Sequence, residues 1–137
     1  MRPKVNISID YVSPHPMSSI GVVDRCFELI EEFKDIKFTL FVPVAYWRTI
    51  GPTATKDPLL ITRFPEFCDS LRKLPRENFE IGYHGVFHGI PSVSNNDELR
   101  DVSLEQARQI FKIMLTSADD AGPVSYTHLT LPTIYSV

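Results

Sequence analysis

Short strand-like runs alternate with helical ones along this chain, and that order restricts the fold more than any single residue does. Val5-Asn6-Ile7-Ser8-Ile9-Asp10 alternates apolar and polar residues, the two-residue period of a strand with one buried face. A helix is expected next. Ser18 or Ser19 can cap it, and Val22, Val23, Cys26, Phe27, Ile30 and Phe33 make an apolar stripe running to about Lys34. Asp24, Glu28, Glu31 and Glu32 fall on the opposite, solvated side. Residues 37–42 read as a second strand stopped by Pro43. Residues 65–73 read as a helix with Pro65 at its first position. Residues 79–82 are a third strand. Ser103-Leu104-Glu105-Gln106 has the capping-box pattern and opens a third helix with Ala107, Ile110, Phe111, Met114 and Leu115 facing inward and Gly122 suited to its end. Residues 51–58 and 91–100 are polar loops. The order βαβαβα predicts an α/β fold with parallel strands.

The chemistry concentrates at the end of the third strand. Residues 79–89 read F-E-I-G-Y-H-G-V-F-H-G. The i, i+4 spacing of His84 and His88 puts two imidazoles on the same side of one turn. Gly82, Gly85 and Gly89 permit tight backbone around them. Neutral imidazole is the commonest metal ligand in proteins, so the pair suggests part of a catalytic metal site. The alternative is two loop histidines that hydrogen-bond nearby backbone. Asp10 closes the first strand with a carboxylate, and in a β/α barrel the C-terminal ends of the strands meet at one face. Asp10, His84 and His88 can therefore converge, although a turn or capping role also suits an aspartate there.

A strand ending in Asp, followed by E-I-G-x-H-x-x-x-H, resembles the polysaccharide deacetylase (NodB-homology) superfamily. The run Ile7-Ser8-Ile9-Asp10-Tyr11-Val12-Ser13-Pro14-His15-Pro16 resembles a divergent branch of it associated with surface polysaccharides. The resemblance covers residues 3–122. It implies a metal-dependent hydrolase that removes acetyl groups from N-acetylated sugars. It also implies a distorted β/α barrel with fewer strands than the usual eight. It assigns Asp10 as general base, His84 and His88 as metal ligands, a divalent ion (zinc) as cofactor and a carbohydrate as substrate. The family pattern places a second aspartate, a metal ligand, where this chain has Tyr11, and a Ser or Thr where it has Gly85. A phenol with an ordinary pKa near 10 is a poor substitute for a carboxylate beside a divalent ion. A single base change separates an Asp codon from a Tyr codon.

Residues 123–137, starting Pro123-Val124-Ser125-Tyr126-Thr127-His128, are unlike the helix before them. They resemble a translation of the transposon-end adapter used in sequencing libraries, and such a scar is set aside from fold reasoning, so His128 is expected to carry no function. A natural strand-prone tail is the alternative. A complete barrel takes about 200 residues or more. The expected organisation is therefore a partial deacetylase-like domain over 1–122, its barrel not closed, and a non-native tail over 123–137. The family's later motifs, an Arg-Pro-Pro segment and a histidine acting as general acid, have no match before residue 123.

Composition excludes some classes. The net charge of −3, without a basic cluster, argues against a nucleic-acid partner. No apolar run approaches the roughly 20 residues of a membrane span. The start Met1-Arg2-Pro3-Lys4 enters a strand without a signal-peptide core, so a cytoplasmic protein is expected. Cys26 and Cys68 fall in helical apolar patterns and read as buried free thiols. Tyr46-Trp47-Arg48 follows the second strand on the expected active-site face. There Trp47 could stack on a sugar ring and Arg48 bind an anionic group, with core packing the alternative for Trp47. Two function classes follow: a metal-dependent carbohydrate deacetylase, inactive in this fragment, and a non-catalytic deacetylase-like carbohydrate-binding domain. Tyr11 favours the second; Asp10, His84 and His88 favour the first.

Overall fold

In the computed structural model, which describes residues 4–122, ten strands and α-helices follow one another along the chain. They are β1 (Asn6–Ile9), α1 (Val23–Glu32), β2 (Lys37–Val42), β3 (Ala45–Tyr46), β4 (Leu59–Leu60), α2 (Pro65–Arg72), β5 (Phe79–Tyr83), β6 (Gly89–Ile90), β7 (Ser94–Asp97) and α3 (Leu104–Asp120). The adapter-like segment 123–137 lies outside the described residues.

Among the described residues, β1, β2 and β5 form a parallel sheet in the order β1-β2-β5. Ile7 and Ile9 stand beside Phe38 and Leu40, and Phe38, Leu40 and Val42 stand beside Phe79, Ile81 and Tyr83. Neighbours in register point to the same side, so one face of the sheet is apolar throughout. It packs into a core with Val23 and Cys26 of α1, Phe67, Cys68 and Leu71 of α2, and Met114 and Ala118 of α3. The alternate residues Asn6, Ser8, Thr39, Phe41, Glu80 and Gly82 make the other face, where Asn6, Ser8 and Glu80 are exposed. A parallel sheet is ordinarily apolar on both sides; this one is covered on one side and polar on the other.

The helices agree with their sequence patterns except at the ends. The first begins later than its apolar stripe suggests. Two 3₁₀ turns, Pro16–Ser18 and Ile20–Val22, precede α1, and Ser19 caps the second turn. The helix stops at Glu32, not Lys34, and the following turn is held by buried Asn78, whose amide donates to the carbonyls of Lys34 and Ile36, each at 2.9 Å. Phe27 and Phe33 stay largely exposed, so the buried part of the stripe is narrower than expected. Ser103 and Gln106 form the capping box of α3. Its inward row centres on Met114 and Ala118, which leaves Leu115 on the flank at 51% exposure. Residues 91–100 are not simply a loop: β7 lies within them and pairs antiparallel with β6, which precedes them, with a register shift between Gly89 and Ile90. Cys26 and Cys68 are free and buried, and burial pushes both thiols up from their ordinary pKa. No helix among the described residues is long and apolar enough to cross a membrane.

Candidate functional site

Backbone hydrogen bonds carry the sheet's order past the ends of its strands. Val12 N–H donates to Phe41 O at 3.0 Å, so the segment carrying Asp10 and Tyr11 stays registered against β2. His84 N–H donates to Val42 O at 2.9 Å. Beyond it, Val44, Ala45 and Trp47 donate in turn to Gly85, Val86 and Phe87. Asp10 and Tyr11, which follow β1, and His84, which follows β5, thus sit at the same, C-terminal, end of the sheet, with β2 between them.

The two histidine rings face each other with centroids 5.0 Å apart and planes inclined by 36°. Phe41 lies 5.5 Å from His84, and glycine at 82 makes room for it: a Cβ there would stand 2.9 Å from Phe41 Cε1. Burial, and then the neighbouring His88, push the His84 pKa below its ordinary value, while Asp10 pulls it upward. His84 is therefore held neutral, and the Asp10 carboxylate is close enough to oppose that.

His88 is oriented by a single bond. Its Nδ1 lies 3.0 Å from Asn95 O. A carbonyl oxygen can only accept, so Nδ1 carries a proton, and in the neutral ring Nε2 keeps a free lone pair. His15 offers a contrast. Its Nδ1 accepts from Met17 N–H and its Nε2 donates to Thr53 O, so both nitrogens are engaged in a buried, structural role.

A half-buried carboxylate builds the loop between the histidines. Glu98 accepts from three consecutive backbone N–H groups, those of Val86 (2.9 Å), Phe87 (2.8 Å) and His88 (3.3 Å). Burial pushes the Glu98 pKa up, against the pull of those donors and of His88. Gly85 adopts φ +73°, and a Cβ on it would stand 2.2 Å from Glu98 Oε2. The left-handed backbone and the space taken by Glu98 both favour glycine at 85. Asn95 anchors the other side. Its Oδ1 accepts from Thr49 and Ile50 N–H at 2.9 and 3.1 Å, besides the bond its carbonyl makes to His88.

Of the adjacent pair Tyr46 and Trp47, Tyr46 is the one that reaches the histidines. Tyr46 is buried, with its ring 6.2 Å from His88 and 6.3 Å from Tyr11. Trp47 packs its ring on Phe87 and donates its indole N–H to Thr55 O. Arg48 is half-buried, and its Nε has no hydrogen-bond partner among the described residues. Tyr11 stands edge-on against His88.

Catalytic zinc sites use three protein ligands and keep one position open. Among the described residues, no group of three or more His, Cys, Asp and Glu side chains is arranged to hold a metal ion. The donors at hand are two imidazoles, one of them oriented through its far nitrogen as metal-binding histidines commonly are. They fit a divalent ion as part of a ligand set, not as a whole one.

Glu98 and Asn95 are not singled out by their sequence context, and Tyr46 is marked only as part of the segment 46–48. Glu98 and Asn95 lie in a polar stretch where nothing in composition separates a loop-building side chain from a solvated one. Only the glycine at 85 hints that something fills the space beside it. Comparison of the chain with models of protein families, with curated proteins and with solved structures finds no match.

Proposed function

We propose that residues 4–122 form the first part of an open β/α barrel of the polysaccharide deacetylase type, a metal-dependent hydrolase of N-acetylated sugars. The observation that carries this reading is the histidine pair at the end of β5. The rings lie 5.0 Å apart, one is held neutral by burial, and the other is fixed by Asn95 with Nε2 free. The sheet supports the barrel. All three helices pack on one face of the sheet, as they do on the outer wall of a β/α barrel, and not on both faces as in a doubly wound sheet.

In this reading His84 and His88 hold a divalent ion, zinc. When bound, the ion supplies Lewis acidity toward an acetyl carbonyl. Asp10, at the end of β1, is the base that takes a proton from the attacking water. Burial keeps His84 unprotonated and so available as a donor. Tyr11 contributes no charge beside the pair, and no group among the described residues corresponds to the family's general acid. We therefore propose that this chain binds zinc weakly and does not turn over an acetylated sugar by itself.

Zinc titration calorimetry on the chain and on His84→Ala and His88→Ala tests the reading. Weak binding that either substitution abolishes is expected. No binding, or binding that survives both changes, would refute it. One observation favours a second reading, a non-catalytic carbohydrate-binding domain. Tyr11 and Tyr46 lie nearly parallel, at 12°, and Tyr11 is 38% exposed beside the histidines. Chemical-shift changes confined to Tyr11 and its neighbours on adding an N-acetylated oligosaccharide, without zinc, would favour it.

A further inference from the structure

We propose that Glu98 is the positioning residue for His88: its carboxylate folds the 86–88 backbone so that His88 is presented with Nδ1 protonated and Nε2 free. A role for that Nε2 in holding metal rests on the function proposed above; the effect of Glu98 on the ring does not.

His88 has φ +69°, a left-handed backbone that residues bearing a Cβ rarely adopt. Something must compensate for that conformation. The three N–H groups of Val86, Phe87 and His88 converge on one carboxylate, an arrangement available only while the loop is curled this way. The curl brings the His88 ring against Asn95 O. Asn95 is held independently of Glu98, through its side chain and the backbone of Thr49 and Ile50. Removing the carboxylate therefore leaves the acceptor in place and frees the donor. Three inward N–H groups lose their partner, the loop relaxes, and the imidazole returns to a mixture of tautomers. Gly85 reaches the same point from the other side. A methyl group there displaces the carboxylate without removing its charge.

The test uses nitrogen NMR of the His88 ring at about pH 8, where imidazole is neutral. It compares the full chain with Glu98→Gln, Gly85→Ala and Glu98→Asp, with circular dichroism monitoring the fold. The chain itself should show a single tautomer protonated at Nδ1. Glu98→Gln and Gly85→Ala should both show the mixture with the remaining spectrum preserved, and Glu98→Asp, which keeps a shorter carboxylate, should recover part of the single-tautomer signature. A His88 tautomer unchanged in Glu98→Gln and Gly85→Ala overturns the proposal. If Glu98→Gln does not fold, Gly85→Ala and Glu98→Asp decide by the same signature. Cobalt(II) titration adds a separate arm. Affinity should fall about 10–100-fold in Glu98→Gln, the usual effect of losing an outer support of a histidine ligand. A chain that takes up no cobalt refutes the metal reading, while the tautomer measurement still decides the role of Glu98.

Discussion

Tyr11 stands edge-on to His88, ring centroids 4.3 Å apart and planes at 75°, and both residues hold left-handed backbone, at φ 45° and 69°. A bulky aromatic is strained in that region, whereas aspartate tolerates it comparatively well. The backbone at 11 thus favours a short polar residue over the aromatic one it carries.

Tyr11→Asp should therefore strengthen zinc binding, by about tenfold or more if the new carboxylate joins the two imidazoles, which is about 1.4 kcal/mol. Calorimetry on both forms measures it. Equal affinity would show that position 11 does not face the ion.

Acid should destabilise the metal-free protein through His84. Its folded pKa lies below the ordinary value of 6.5, because burial and His88 disfavour the charged ring. The unfolded chain then binds the extra proton more readily, so stability falls as the pH drops through about 6.5 toward the folded pKa. Glu98, whose folded pKa is raised by burial, acts in the opposite direction from its ordinary 4.5 upward. Comparing urea unfolding of the chain with that of His84→Gln, from about pH 7 to pH 5, isolates the histidine contribution. A slope unchanged by the substitution would show that His84 does not titrate abnormally.

Met114→Ala should cost about 2–5 kcal/mol, because Met114 is completely buried between α3 and the rest of the core. Leu115→Ala, at a residue 51% exposed, should cost much less, about 1 kcal/mol at most. Denaturant midpoints of the two variants distinguish the observed orientation of α3 from one rotated to bury Leu115.

Gly89→Ala should destabilise the β6–β7 pair. A Cβ at Gly89 would stand 2.3 Å from Ser94 O and 2.9 Å from Asn95 Cα, and backbone cannot move aside as a flexible side chain can. The expected loss is about 1–3 kcal/mol, with faster amide exchange confined to residues 89–97. Exchange rates unchanged in that segment would contradict the close approach.

The parallel sheet was legible in the sequence because Ile7/Ile9, Phe38/Leu40/Val42 and Phe79/Ile81 repeat with the strand period. The capping box at Ser103 was legible because its partners are only three residues apart. Legibility declined where long-range contacts decide. Phe27 and Phe33 have the spacing of a buried stripe, yet nothing in the chain among the described residues covers them fully. Trp47 and Tyr46 are adjacent aromatics, and only the pairing of 44–47 with 85–87 shows which one reaches the histidines. The i, i+4 spacing brought His84 and His88 together on paper, but the rings owe their placement to Glu98 and Asn95, ten and seven residues beyond His88.

Gly85 and Glu98 occupy one volume between them. With Cβ and carboxylate oxygen limited to 2.2 Å, a chain of this type can place a side chain at 85 or an extended glutamate at 98, but not both. The two positions should therefore covary across related sequences. Where 85 gains a Ser or Thr, 98 should shorten or lose its acid, and the pairing would be visible in an alignment long before another structure is solved.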